Sequence, residues 1–312
     1  MILILVPNPA LDKTVVIPGF KIGQTYRARV LTQAGGKGFN VARALHTLGH
    51  DSLVVAPLGG HAGQHLRDLA HHEGLRCDGL ALEPELRTCL TIVDPQADYR
   101  LTEVYEQGAP LAPSTWEHLA ELVACHFAQA SFLAVCGGYP SGVPDDGLYH
   151  LVQQAQAASL PALLDTYGPQ LKQALELRPA LVKINQYEAG SLLQREISSV
   201  QQALEAAREL QQYGAHDVVI TLGKLGAVGL TRQGDGFGWA APHVTAVSAI
   251  GSGDCLLAGI AAGLESGQGL LEATRLGVAA GAANALQIGA GRLELRQVEE
   301  LLPQVQALPL DS

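Results

Sequence analysis

The chain has 312 residues, 47% of them hydrophobic and 16% charged, with a formal net charge of −10. That length and apolar content can fill a large α/β core, in one domain or two. The negative balance argues against nucleic acid and anionic membrane as partners, but not against a nucleotide, which needs only a local positive field. Cys77, Cys89, Cys125, Cys136 and Cys255 show no CxxC pair and no His/Cys ligand spacing, so free core thiols in a reducing compartment are expected. The opening run MILILVP lacks a basic leader, and no stretch approaches a transmembrane span; the expected location is the cytoplasm.

In chain order, residues 2–6 form a short apolar run that predicts a buried strand. Residues 13–17 and 25–33 alternate polar and apolar side chains around a Pro18-Gly19 turn, the pattern of a half-exposed antiparallel ribbon. A helical pattern runs from Gly38 to Leu48, a strand over 52–56, and a helix over 61–73 that Gly74 would end. Residues 87–93 and 99–105 alternate again, with Asp94-Pro95 opening the turn between them. From about residue 113 the pattern becomes steady βα alternation, with strands at 132–136, 162–165, 181–183 and 218–222. Shorter strands are expected at 227–231, 236–240 and 243–247, and helices at 253–265, 269–287 and 295–305. This alternation implies a mostly parallel sheet covered by helices on both faces. The two ribbons are expected to join as a small sheet standing off that body, as a lid.

The segment richest in chemistry is Gly251-Ser252-Gly253-Asp254, which joins an apolar run to a long apolar helical pattern. Glycines at a strand-to-helix turn leave backbone N–H groups bare at a helix N-terminus, and that is an anion site. A carboxylate there repels the anion, unless its task is to take a proton. Asp254 beside a phosphate therefore points to phosphoryl transfer onto a hydroxyl. The plainer alternative is that Ser252 or Asp254 only caps the helix. The helix dipole favours the ionised carboxylate, so Asp254 is expected to be an available base with no strongly raised pKa.

Other motifs lie at similar junctions. Gly35-Gly36-Lys37-Gly38-Phe39-Asn40 sits where ribbon gives way to helix. Its glycines let backbone approach a ligand, and Lys37 and Asn40 add a cation and an amide; a plain glycine turn is the alternative. Asn8-Pro9-Ala10-Leu11-Asp12 follows the first strand, on the side where α/β sheets bind ligands, so Asp12 can accept from sugar hydroxyls or form an Asx turn. In Lys183-Ile184-Asn185-Gln186-Tyr187-Glu188, Asn185 reads as a helix N-cap with Glu188 at the capping-box position. Both can also lie near a magnesium ion and its waters. Thr221-Leu222-Gly223-Lys224-Leu225-Gly226 ends a further strand and suits either a nucleotide or a hairpin turn.

In this order, the five motifs resemble the ribokinase-like (PfkB) carbohydrate kinases, over essentially the whole chain. The Asn8–Asp12 opening is similar to the sugar-phosphate branch, which holds 1-phosphofructokinases, tagatose-6-phosphate kinases and the minor bacterial 6-phosphofructokinases. The resemblance implies a three-layer α/β sandwich in a single kinase domain, 1–312. Its lid would come from about 10–33 and 86–108, and its body from 1–9, 34–85 and 109–312. It implies ATP and Mg²⁺ as cofactors, a sugar phosphate as substrate, and a homodimer formed through the lid. It makes Asp254 the base, and Gly251, Ser252, Gly253 and the Asp254 N–H the anion hole. It puts Asp12, Gly35, Gly36, Lys37 and Asn40 on the sugar and Arg87 on the sugar phosphate. Lys183, Asn185, Thr221, Gly223, Gly226 and Asn284 would line the nucleotide site, with Asn185 and Glu188 near the metal through water.

The implied reaction is phosphorylation of a primary hydroxyl of a ketohexose phosphate. Fructose 1-phosphate comes first, with fructose 6-phosphate and tagatose 6-phosphate as alternatives. A catalytically silent sugar-phosphate sensor is the alternative of another class. A dinucleotide-binding oxidoreductase is disfavoured, because no GxGxxG follows the first strand. Cys136-Gly137-Gly138-Tyr139-Pro140 and Tyr105-Glu106-Gln107-Gly108 depart from the family pattern, and both bear on the choice of sugar. Val15, Val16, Val30 and Leu101 include lid side chains that would be wet in a monomer.

Overall fold

A computed structural model describes residues 1–310. Strand β1 (Ile2–Leu5) is four aliphatic residues, all buried. Ile2 and Ile4 enter one hydrophobic core, Leu3 and Leu5 the other. A strand that is apolar on both faces belongs in the middle of a helix-covered parallel sheet.

The chain then leaves the body for β2 (Ala10–Val16) and β3 (Val30–Gly35), an antiparallel ribbon. It returns through α1 (Lys37–Thr47), β4 (Ser52–Gly59), α2 (Gly60–His72) and β5 (Arg76–Leu82). A second ribbon follows, β6 (Arg87–Asp94) and β7 (Arg100–Tyr105). Next come α3 (Pro113–Ala124), β8 (Phe132–Cys136), α4 (Gly147–Ala157), β9 (Ala162–Asp165) and α5 (Pro169–Ala174). They lead to β10 (Leu181–Asn185), α6 (Gln186–Leu193), α7 (Val200–Gln212) and β11 (Asp217–Thr221). The rest is β12 (Ala227–Leu230), β13 (Gly236–Ala240), α8 (Ser252–Glu265), α9 (Leu270–Ala285), α10 (Leu295–Leu301) and β14 (Gln306–Ala307).

The large sheet has the order β14-β13-β12-β11-β10-β9-β8-β1-β4-β5. It is parallel from β5 to β11 and antiparallel from β12 onward. Helices α1, α2, α8, α9 and α10 supply the core on the Ile2 and Ile4 face, and α3, α4, α5, α6 and α7 that on the other. The result is the expected three-layer sandwich. Strand order reverses at β1, between β4 and β8, and in such sheets the ligand crevice lies beyond the carboxyl ends of the strands at the reversal.

The ribbons do join. β2 pairs parallel with β6, giving a separate sheet in the order β3-β2-β6-β7. Pairing registers put Asp12, Cys89 and Tyr105 in one row, and Val15, Val30 and Ile92 on the opposite face. Val16, Ile22, Val30, Val104 and Tyr105 are exposed, whereas Val15 is buried and Leu101 half-buried, so the wet set differs from the expected one.

Three expectations change. Residues 243–247 form no strand; the Val247 and Ser248 N–H groups bond to the Ala285 carbonyl at the end of α9, and Pro242 has no N–H to give a ladder. The strand expected from residue 25 begins only at Val30, because pairing with β2 ends at Val15. Strand β5 was not legible in Arg76–Leu82, whose Asp78-Gly79 centre breaks any alternation. Among the described residues, no helix is long and apolar enough to cross a membrane.

Candidate active site

Strands β8, β9, β10 and β11 end on Cys136, Asp165, Asn185 and Thr221, and the site is built on that edge. Asp165 has no exposure to solvent. One of its oxygens takes Lys183 Nζ at 2.6 Å and the other Lys37 Nζ at 2.9 Å. Burial pushes this carboxyl up, but the two ammonium groups outweigh it and hold the pKa below the ordinary value. Lys37 opens α1 after Gly36, whose φ of 98° is costly for a residue with a Cβ. Its ammonium also meets Glu188 Oε1 at 2.9 Å. Burial disfavours the Lys37 charge, yet Asp165, Glu188 and Asp254 together keep it firmly protonated.

Glu188 is placed by a complete capping box. Asn185 Oδ1 accepts from the Tyr187 and Glu188 N–H groups at 2.9 Å, and Glu188 Oε2 accepts the Asn185 N–H at 3.0 Å. The lone pairs of the Asn185 oxygen are thus used inside the protein, while Glu188 stays partly open to the cleft.

Opposite lies the Gly251–Asp254 turn. Gly251 is left-handed at φ 80°, which lets the chain reverse into α8. At Gly253 the position a Cβ would take lies 3.2 Å from Lys183 Nζ, so the turn sits close against that ammonium. Helix geometry leaves the Gly253 and Asp254 N–H groups without intrahelical partners. The Ser252 hydroxyl oxygen is buried with no partner among the described residues. Asp254 is only 7% exposed, and its Oδ2 accepts from Asn40 Nδ2 at 2.8 Å.

The charge state of Asp254 corrects the sequence expectation. Burial, then the neighbouring Asp165 carboxylate, push its pKa up to about 6; Lys37, Lys183 and the Asn40 hydrogen bond pull the other way and do not prevail. The helix terminus alone would have kept it low, but desolvation in the folded cleft is the larger effect.

Asn284 does not stand on the cleft wall. It is wholly buried beneath the turn, donating to the Ile250 carbonyl and accepting from the Gly291 N–H and the Cys255 thiol, each at 3.1 Å. It braces the loop instead of facing a ligand. Thr221 is buried at the end of β11, and Gly223 and Gly226, with φ of 58° and 111°, bracket the single 3-10 turn after it.

On the lid, Asp12 lies in β2 beside Gly35 and Gly36, not in an Asx turn. Burial raises its pKa to about 6 despite the Gly36 N–H, the Arg43 and Arg87 charges and the Cys89 thiol. Arg87 opens β6 and donates to the Asn8 carbonyl at 3.0 Å, while its buried Nε has no partner among the described residues. The structure thus brings Lys37, Asn40, Lys183, Glu188 and Asp254 into one charged cluster. Asp12, Arg87 and Gly35 belong to the lid and its root. Sequence reasoning missed Asp165, Arg43 and Cys89. Of these, Asp165 carried a signal, a lone carboxylate closing an apolar strand on the ligand side of the sheet.

A parallel sheet with a β lid, a buried acid at a bare helix N-terminus and two lysines against it define an α/β phosphotransferase. The pfkB family carbohydrate kinase profile matches residues 18–296, and the chain belongs to that family. It is 34% identical over 275 residues to a 1-phosphofructokinase of Rhodobacter capsulatus, covering 87% of this chain and 86% of that one. A 1-phosphofructokinase of Bacillus subtilis is 28% identical over 311 residues, with 99% and 100% covered. Among solved structures, phosphofructokinase-2 from Escherichia coli in complex with substrates and products superposes with a TM-score of 0.88 at 28% identity, over 97% of this chain and 99% of that one.

The raised pKa of Asp254 has a thermodynamic consequence. From the ordinary 3.8 up to about 6, the folded state binds a proton that the unfolded state has lost, so this group's contribution to stability falls as pH rises through that window. Asp254→Asn removes the effect. The melting temperature of the variant minus that of wild type is expected to grow more positive between pH 4.5 and pH 7. A difference independent of pH would show that the Asp254 carboxyl is not raised.

Proposed function

We propose that this chain transfers the γ-phosphoryl group of ATP to a primary hydroxyl of a ketohexose phosphate, with fructose 1-phosphate as first substrate and fructose 1,6-bisphosphate as product. The observation that carries this reading is Asp254: nearly sealed from water, oriented by Asn40, and set at the first turn of α8 with a pKa near 6. A catalytically silent sensor has no use for such a group beside an anion turn. The named relatives, all 1-phosphofructokinases, support the choice of sugar. Fructose 6-phosphate is the second reading, favoured by an Escherichia coli phosphofructokinase-2 neighbour described in complex with fructose-6-phosphate, 27% identical to this chain.

In this mechanism Asp254 takes the proton of the sugar hydroxyl as its oxygen attacks the γ-phosphorus in line. The new P–O bond forms as the bond to the leaving ADP oxygen breaks. The Gly253 and Asp254 N–H groups, with Lys37 and Lys183, meet the charge spreading over the phosphoryl oxygens. Asp12, Gly35, Gly36 and Asn40 face the sugar, and Arg87, with its free Nε, takes the sugar phosphate. Thr221, Gly223 and Gly226 form the nucleotide side.

Glu188 fits a hydrated Mg²⁺ held through water, since both its oxygens keep a lone pair beyond their present partners; Asn185 contributes by fixing Glu188. Bound there, the ion would offset negative charge on the ATP phosphates. We place the enzyme in the cytoplasm, as a two-fold dimer that covers the exposed lid valines Val30 and Val104.

Four measurements test this. In a coupled ADP-release assay over ketose phosphates, fructose 1-phosphate should give the highest kcat/KM. Asp254→Asn should fold, bind ATP and lose about 10²–10⁴ in kcat; activity within a few-fold of wild type would reduce Asp254 to a helix cap. Arg87→Ala should raise KM for the sugar phosphate at least tenfold more than KM for ATP, by roughly the worth of a charged hydrogen bond. Equal increases would make Arg87 structural. Sedimentation at micromolar concentration should give a dimer, with a monomer counting against the lid interface.

A further inference from the structure

Behind Asn40 stands a residue that no motif singled out. Arg43 is only 8% exposed, yet each guanidinium nitrogen has a partner. Nε donates to Glu73, Nη2 to the Ala34 carbonyl at 2.7 Å, and Nη1 to Asn40 Oδ1 at 3.1 Å and the Ala290 carbonyl at 3.0 Å. These acceptors belong to the end of α2, the root of the lid, the preceding turn of α1 and the loop after α9. A guanidinium can only donate. The Asn40 amide must therefore turn its oxygen toward Arg43, which leaves its NH₂ toward Asp254 Oδ2 at 2.8 Å. The flipped amide would set oxygen against carboxylate and NH₂ against guanidinium, repelling at both ends.

We propose that Arg43 is a positioning residue for phosphoryl transfer: it fixes the orientation of the Asn40 amide, and through it the Asp254 carboxylate, while tying that point to the lid root at Ala34 and the loop at Ala290. This rests on the reading of Asp254 as the base. The other charged groups acting on Asp254 are Asp165, Lys37 and Lys183, and none of them bonds to Arg43. Releasing the amide therefore removes one hydrogen bond to the ionised carboxylate and leaves those charges in place. Losing a hydrogen bond to the charged form raises a carboxyl pKa, so the acid limb of kcat must move to higher pH.

The test is a double-variant cycle. Arg43→Lys keeps the charge but its single nitrogen cannot reach four acceptors set around a planar fork, and Asn40→Ala removes the amide. Each is expected to lower kcat about tenfold or more and to move the acid limb up by roughly half a unit, with KM for ATP within about twofold. The double variant should be no slower than Asn40→Ala alone, because both act through one hydrogen bond. Glu73→Gln, which leaves Arg43 present and alters a partly exposed partner, should show the same limb shift in smaller measure even if Arg43→Lys folds poorly. Multiplicative losses in the double variant would overturn the proposal. So would a lower melting temperature in Glu73→Gln with kcat and its pH profile unmoved. An active Asp254→Asn would instead overturn the base reading itself, a result distinct from the outcome of the cycle.

Discussion

A carboxylate with no access to water, held between two ammonium groups, is the constraint on which this site depends. Removing Asp165 and Lys183 from water costs several kcal/mol per ion, with a smaller cost for the partly exposed Lys37, and only close geometry offsets it. The separations of 2.6 and 2.9 Å supply that geometry. They also fix the relative position of three segments, since Lys183 lies within β10, Asp165 closes β9 and Lys37 opens α1. Through Glu188 the same lysine reaches α6. A shift in any of these elements would leave a buried charge uncompensated, so the edge of the sheet is held rigid where chemistry requires fixed positions.

The same carboxylate acts on Asp254, the proposed base. Asp165 is one of the two main reasons that Asp254 titrates near 6, together with burial. A group with that pKa is ionised at neutral pH and still basic enough to take a proton in a transition state. In the proposed role of Asp254, stability and activity would pull apart, because the desolvation that would make it a better base also weakens the fold at neutral pH.

Four segments join the lid to the body, and two of them run beside this centre. Residues 6–9 lead from β1 into β2, and Gly36 leads from β3 into α1. Asp12 and Arg87 ride on the lid, while Asp254 and the lysines stay on the body. Arg43 spans the junction, bonded at once to the Ala34 carbonyl of the lid root and to Asn40 beside the base. One buried guanidinium thereby ties the root of β3 to the amide that holds Asp254, the proposed base.

Local backbone demands were legible in the sequence. Gly251 and Gly36 are needed where φ is positive, Asn185 and Glu188 complete a capping box within four residues, and β1 is apolar on both faces because both faces are covered. Those features announced the anion turn, the lysine loop, the end of β10 and the α/β class. Arg43 gave no signal, Asn284 was placed by resemblance alone, and Asp165 showed only as a carboxylate closing an apolar strand, since each is a single polar residue within an apolar pattern. Their meaning comes from partners such as Lys37, 128 residues from Asp165, and Ala290, 247 residues from Arg43. The pKa of Asp254 was misjudged for the same reason. A helix terminus can be read along the chain, but desolvation and the field of a neighbouring carboxylate exist only once distant segments have folded together.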